Sequence, residues 1–384
     1  MTRPTIFHAA LLSLCLCGSL LAQTEPSAAN ASAEPVTEIA PAGQPLPLAV
    51  PAAPPLSVDE VLAVPEELRQ LVNQKVVQLA RHPTARLEKL VEFMFSPTGL
   101  GLTYDDTTRT VAQTFADRKG NCLSFTLLFL EMARSTGLTA DMQESEKVLL
   151  SFSDTDTLVY TGHVSASIKI NGRRQEIQFD PNNPILRGSV DIITKARSVA
   201  HYYNNRGAEL MVAGHLDEAD AHFAQAIELD PRMVQAHSNR GVLHMRLKDP
   251  YAAEYHFKAA LAIDPKRISV LSNLVSLYRS QGRSQEEALT AERLADVEED
   301  DPYHHFVHGL QLESRGEFEP ALEHYRAAAK LDRKQPLYQL GMARAYEGLG
   351  REDMARHHAE RAQALSRRKS STSFAIQMMR GGRQ

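Results

Sequence analysis

The sequence predicts a multidomain chain, an α+β half followed by an all-α solenoid of helical repeats. Three observations carry this reading. Small and apolar residues recur at a period of 34 from about Ala200; period-two alternation surrounds an Asn171-Gly172 turn; and apolar residues return at helical spacing from Ser57 to Gly137. With 384 residues, 43% hydrophobic and 23% charged, the chain is long and apolar enough for two cores. A formal charge of −5 supplies no overall basic field, so no nucleic-acid partner is expected.

Residues 1–22 have the three parts of a secretory signal: Arg3, an apolar run through Leu21 and a small residue at Ala22. The apolar run is short for a bilayer, so no membrane span is expected after signal removal. Cys15 and Cys17 both follow leucine, unlike an acylated lipoprotein cysteine. Export, to a bacterial periplasm, is the expectation, and cleavage after Ala22 would leave Cys122 as the one cysteine. Residues 23–56 are rich in Ala, Pro, Ser, Thr and Glu with no sustained period, which reads as a flexible linker.

Residues 57–197 form the α+β part. "SVDEV" has the form of a helix start, and "PEELRQLVNQKVVQLARH" places Pro65 in a first turn and ends before Pro83. Helices are expected over "TARLEKLVEFMF" and "TTRTVAQTFADRKG", and another from Cys122. After Gly137, "KVLLSF", "TLVYTG" and "HVSASIKINGRRQEIQFDP" read as strands, the last a hairpin about Asn171-Gly172.

Residues 198–368 repeat, in units of about 200–233, 234–267, 268–301, 302–335 and 336–369. One column holds Gly207, Gly241, Val275, Gly309 and Ala343; another holds Ala219, Ala253, Glu287, Ala321 and Ala355; a third holds Phe223, Phe257, Ala291, Tyr325 and Ala359. Ala226, Ala260, Leu294, Ala328 and Ala362 make a fourth, and Pro231 and Pro265 close the first two units. Small residues let paired helices approach, aromatic knobs fill the space between them, and proline ends the second helix. These columns resemble the tetratricopeptide repeat in five copies, the third degenerate at Glu287, Ala291 and Glu299. The resemblance implies protein or peptide binding, with Asn204, Ser238, Ser272 and Arg279 as candidates to line a groove but no repeated Lys/Asn clamp. Residues 369–384 are a basic tail.

Cys122 follows Gly120-Asn121 at the mouth of a helix whose stripe Phe125, Leu128, Phe129 and Met132 faces a core. A thiol at a helix start is biased toward thiolate, and neighbouring N–H groups can stabilise an oxyanion beside it. A two-residue turn at Asn171-Gly172 sets Ile170 opposite Arg173 and, carried along the strands, His163 opposite Asp180. It also sets Val164 against Phe179 and Ala166 against Ile177, giving one apolar face. An imidazole beside a carboxylate is the base–orienter half of a nucleophilic triad.

"GNCLSFTLLFLEMARSTGLTA", "HVSASIKI" and "QFDP" together resemble the core of the transglutaminase-like superfamily, papain-type in chemistry, over roughly Ser57 to Ile193. The resemblance implies Cys122 as nucleophile, His163 as general base and Asp180 as orienter, acting through an acyl-enzyme on a protein or peptide amide by hydrolysis or amine transfer. "VSASI" departs from the aromatic and acidic residues that many relatives carry after the histidine. Gln113 and Asn121 are both candidate oxyanion donors. A non-catalytic scaffold with a vestigial triad is the alternative. No cofactor is expected, since there is no P-loop or dinucleotide fingerprint, and no metal, since His304-His305 and His357-His358 have no clustered carboxylate or cysteine.

Overall fold

The computed structural model describes residues 54–152, 158–179 and 190–369. The expected signal, nearly all of the linker, Asp180 and the tail beyond Lys369 lie outside the described residues.

The α+β part opens with α1 (Val58–Leu62), where Ser57 and Glu60 form a reciprocal capping box. Then come α2 (Glu66–Val72), a π-helical turn over Asn73–Val77, and α3 (Pro83–Phe95). The helical run ends at Val77, short of the His82 expected from sequence, and Pro83 occupies the first turn of α3, where its missing N–H costs nothing. Short strands β1 (Thr103–Tyr104) and β2 (Lys119–Gly120) pair in parallel around α4 (Val111–Asp117), and α5 (Cys122–Ser135) follows directly.

Four antiparallel strands, β3 (Thr139–Phe152), β4 (Leu158–Ile170), β5 (Arg173–Ile177) and β6 (Val190–Ile193), lie in the order β5-β4-β3-β6. The stretches 157–162 and 163–170, read from sequence as separate strands, join in the single strand β4 because β3 is long enough to pair with both. The hairpin register is the expected one: Ile170 faces Arg173 and Ala166 faces Ile177. Asn171 (φ 51°) and Gly172 (φ 77°) are both left-handed, as a type I′ turn requires. Val164, Ala166, Ile177 and Phe179 are all buried, so the expected apolar face exists. It packs on α5, with Phe179 against Phe129 at 5.3 Å between ring centres.

The remaining helices pair in chain order as five hairpins: α6 (Lys195–Ala213) with α7 (Leu216–Leu229), α8 (Val234–Arg246) with α9 (Pro250–Ile263), and α10 (Ile268–Ser280) with α11 (Ser284–Asp300). The last two are α12 (Pro302–Ser314) with α13 (Phe318–Leu331), and α14 (Pro336–Gly348) with α15 (Glu352–Lys369). The glycine column works by closeness: a Cβ on Gly207, Gly241 or Gly309 would stand 2.7, 2.5 or 2.5 Å from the ring of Phe223, Phe257 or Tyr325. In the third unit the sizes are exchanged, Val275 standing in the glycine column and Ala291 in the aromatic one, and no residue of α11 is fully buried. A cavity of about 440 Å³ lies beside it, lined by Leu271, Leu274, Tyr278, Leu289 and Thr290 among others. The apolar core is correspondingly divided there, one cluster running through Tyr278 and another beginning at Phe306.

Among the described residues, polar contacts fasten the α+β part to the repeats, two of them through the carboxylates Glu144 and Glu209. Glu144 of β3 takes hydrogen bonds from Arg197 of α6 (2.8 Å) and Gln235 of α8 (2.6 Å), and Arg197 also reaches Asp230 at 2.6 Å. Burial alone would raise the Glu144 carboxyl, but the charges of His201 and Arg197 overcome it and hold the group far below the usual carboxylate range. His201 Nε2 stands 3.6 Å away, beyond hydrogen-bond length, so Arg197 makes the bond and His201 contributes charge only when protonated. The second fastening runs from the Thr108 N–H to Glu209 of α6, 2.8 Å.

Candidate functional site

Cys122 is the first residue of α5 and is half-buried. The helix start is held by Asn121, whose Oδ1 accepts from the Ser124 N–H and hydroxyl, each at 3.0 Å, while its Nδ2 donates to Thr108 Oγ1 at 2.8 Å. Ser124 Oγ in turn accepts from the Arg109 N–H at 2.8 Å, and Arg109 is pinned between Asp105 and Asp117. Both ends of the Asn121 amide are therefore committed to the cap. Gln113 has its Oε1 in a capping box with Thr110 and is exposed at α4, so both side chains named as oxyanion candidates serve first as helix caps. Gly120 is required by closeness, since a Cβ there would stand 2.7 Å from the Ser124 Cβ. Arg118, left-handed at φ 56° and ψ 28°, ends α4 and turns the chain toward β2 and the cysteine, its guanidinium 4.3 Å over the Phe115 ring.

Of the other two residues proposed from sequence, His163 lies in β4 with its backbone opposite Ser145, and β4 packs on α5. Asp180 lies outside the described residues, one position beyond buried Phe179.

A second arrangement lies on the repeats, where the first helices α6, α8 and α10 touch in turn and make a wall, and α12 touches α14. On α8 and α10 this wall carries buried polar side chains. Gln235, Ser238, Asn239, Ser269 and Asn273 are at most 5% exposed. Among the described residues Gln235 Oε1, Ser238 Oγ, Asn239 Oδ1, Ser269 Oγ and Asn273 Nδ2 have no hydrogen-bond partner. Asn204, a candidate from sequence, is buried too and accepts from Asn239 at 2.9 Å. Arg279 instead pairs with Glu287. Sequence reasoning missed Gln235, Asn239, Ser269 and Asn273, although residues 235 and 269 and residues 239 and 273 share columns of the 34-residue period.

Paired histidines lie inside the second and fourth units. His237 Nδ1 is 3.4 Å from His256 Nδ1, and His237 Nε2 is 3.1 Å from the Pro231 carbonyl. The carbonyl needs a donor, so His237 carries its proton on Nε2 and accepts at Nδ1 from the His256 Nδ1–H. His305 and His324 repeat this at 3.2 Å, with His305 Nε2 3.1 Å from the Glu299 carbonyl. Burial, then the nearby Arg240, His237 and His244, push His256 down to about 4. Among the described residues no group of three or more histidine, cysteine or carboxylate side chains is arranged to hold a metal ion. Nor is any helix among them long and apolar enough to cross a membrane.

A family model described as the tetratricopeptide repeat matches residues 204–268. A protein of Oryza sativa subsp. japonica, the TPR repeat-containing thioredoxin TDX, is 30% identical over 89 residues, which are 23% of this chain and 28% of that protein. The chain thus spans little more than a quarter of that relative. Among solved structures, the MamA protein aligns at 20% identity over 46% of this chain and 96% of its own, with a TM-score of 0.26. YrrB, described as a TPR protein with an unusual peptide-binding site, aligns at 19% identity over 43% of this chain and 86% of its own, with a TM-score of 0.25. The matched residues take in the hairpins α6–α7 and α8–α9, which carry the tetratricopeptide repeat.

Proposed function

We propose that this is a protein-binding protein in which the first helices of the repeats hold an extended segment of a partner chain. The observation that carries this reading is the strip of buried amides and hydroxyls on α8 and α10, each with a polar atom that has no hydrogen-bond partner. Each such group costs roughly 1–3 kcal/mol while unsatisfied, and an extended backbone offers N–H and C=O groups along its length that would satisfy them. In the fourth and fifth units the matching columns turn apolar, with Tyr303, Phe306 and Val307, then Leu337 and Leu340, so the same partner would meet side-chain pockets there. Panning a phage-displayed random-peptide library against the full chain tests the reading. Enriched peptides should lose at least about tenfold in affinity when Asn239→Ala and Asn273→Ala are combined, since each removes a paired buried amide. A panning that yields no peptide sensitive to this wall would refute it.

For the α+β half the proposal is a transglutaminase-like cysteine enzyme. Its support is Cys122 at the first position of α5, with the strand that carries His163 packed on that helix. In this reading the Cys122 thiolate attacks a carboxamide or peptide carbonyl, and the His163 imidazolium gives its proton to the departing amine as the C–N bond breaks. Water or a second amine then resolves the thioester, the sulfur leaving as thiolate, while Asp180 orients the imidazole. Alkylation of Cys122 by iodoacetamide, read by mass across pH, should stay fast well below the roughly 8.5 of a free cysteine and shift upward in His163→Ala. A thiol that reacts only after denaturation, at a rate indifferent to His163, would leave the array as the working part. Export to a bacterial periplasm completes the proposal, resting on Arg3, the apolar run and Ala22. Sequencing of exported material should then begin near Gln23; a start at Met1 would reverse it.

A further inference from the structure

Residues 203, 237, 271, 305 and 339 share one position on the first helices of the repeats, and residues 222, 256, 290, 324 and 358 share one on the second helices. In four units these two positions meet through a histidine. The ring centres of Tyr203 and His222 are 6.2 Å apart, those of His237 and His256 5.7 Å, and those of His305 and His324 5.5 Å. In the fifth unit His358 Nδ1 is 2.9 Å from Gln339 Oε1. The third unit has Leu271 and Thr290 instead, and the Thr290 hydroxyl turns back to donate to the Glu286 carbonyl at 2.7 Å. Both residues line the cavity of about 440 Å³ beside α11, so the space lies where the other units place an imidazole.

The walls of this cavity are mostly apolar, with Leu261 of α9, Leu274 and Tyr278 of α10 and Leu289 of α11 beside Leu271. Water finds few hydrogen-bond partners in such a space, whereas an apolar guest makes the contacts that the missing ring would have made. The volume is about three times the roughly 150 Å³ that accepts benzene, which is room for a bicyclic ring system. The mouth reaches the surface, where Leu289 is 60% exposed. Lys258 and Arg293 supply positive charge there. Lys258 is paired with Glu254 at 2.7 Å, and that carboxylate also accepts from Arg283 at 2.6 Å and from the Tyr278 hydroxyl at 3.0 Å. Arg293 donates one N–H to the Pro265 carbonyl at 2.6 Å and forms no ion pair among the described residues, so its charge is left for an anion.

We infer that the third repeat holds a pocket for a small planar aromatic carboxylate, its ring between α10 and α11 and its carboxylate at Arg293. No residue of the polar strip on α8 and α10 lines this pocket, so it is a site apart from the peptide-binding wall. A guest there adds apolar contacts to α11, which has no fully buried residue of its own, and so stabilises the unit that is packed most poorly.

Indole-3-acetate is the probe, because the chain contains no tryptophan and indole emission then reports the ligand alone. Titration with the full chain should give a saturable blue shift with a dissociation constant of about 100 μM or tighter, as suits a ligand of this size well buried in a pocket. Thr290→His puts back the imidazole of the other units and should weaken binding at least about tenfold while the chain stays folded. Arg293→Gln should weaken indole-3-acetate about fivefold yet leave the neutral indole-3-acetamide unchanged. Decanoate, a flexible chain with the same head group, should displace the indole less well than unlabelled ring acids such as 2-naphthoate. Undiminished binding to a folded Thr290→His chain, or no saturable binding to the wild type, overturns the inference. An Arg293→Gln effect equal for acid and amide overturns it too, as does decanoate that outcompetes 2-naphthoate. Should Thr290→His not fold, the comparison of acid with amide on Arg293→Gln decides.

Discussion

Gly241→Ala gives a sharp test of how the repeats hold together. Alanine in the middle of a helix is worth about 1 kcal/mol over glycine, so an unencumbered site would gain that much. Here the new methyl would stand 2.5 and 2.6 Å from two carbons of the Phe257 ring, inside any real contact. Phe257 is completely buried, so the ring cannot swing aside into solvent. Overpacking of this kind costs about 1–3 kcal/mol, or more where the neighbours are rigid. With the helix gain offset, the net loss is up to about 2 kcal/mol. Urea unfolding of the full chain, followed by far-ultraviolet circular dichroism, should show a lower midpoint. Phe257→Leu, which frees room at the ring edge, should make the same alanine nearly harmless, so the two changes should couple with opposite sign. A chain stabilised by Gly241→Ala, or an alanine that costs the same when Phe257→Leu is already in place, would refute the close-approach account.

The third unit should behave in the converse way: Val275→Gly and Ala291→Phe should each fail to stabilise alone, while the pair restores the contact of its neighbours and raises the urea midpoint. His256 lies at about 4 folded against 6.5 free, so the unfolded chain binds the proton more tightly; stability is full above about pH 6.5 and should fall as the pH drops toward 4. Urea midpoints at about pH 7.5, 6 and 5 check this, with His256→Gln flattening part of the slope, and a midpoint that stays put would contradict it. Glu144→Gln should cost about 2–3 kcal/mol, less than a fully orphaned buried charge because Arg197 keeps Asp230, and a loss under about 0.5 kcal/mol would show the junction to be incidental. Asn121→Ala removes the cap of α5 and should cost about 1–2 kcal/mol in the melt while changing the alkylation rate of Cys122.

Local rules made much of this fold legible. The Asn171-Gly172 turn set its strands in register because a type I′ turn admits only one pairing of its flanks, and the 34-residue columns located the helical pairs because each glycine answers one aromatic ring. The stripe on α5 was readable because all four of its members enter one core. What escaped the sequence depends on distant partners. The length of β3 and β4 is set by their mutual pairing rather than by their separate apolar runs. The cap roles of Asn121 and Gln113 depend on Thr108, Ser124 and Thr110 standing nearby, and the polar strip on α8 and α10 is buried beside another part of the chain. A buried polar residue in a helix looks from sequence like an exposed one, which hid Asn239 and Asn273.

The exchange of sizes at Val275 and Ala291 has a mechanical consequence. A repeat array transmits cooperativity only through the interfaces between successive units, and it parts where that interface is poorest. With no fully buried residue on α11 and separate cores on either side, the array should not melt as one body. The fourth and fifth units, which share one core, should open as one foldon, while the first two share a core with α10 and are tied to the sheet through Glu144 and Arg197. Under tension applied from the carboxyl end, α12 to α15 should give way as a block before anything near Cys122 is disturbed. A partner bound across the third unit would then feel a compliant joint in mid-groove, able to change its curvature without unfolding either half.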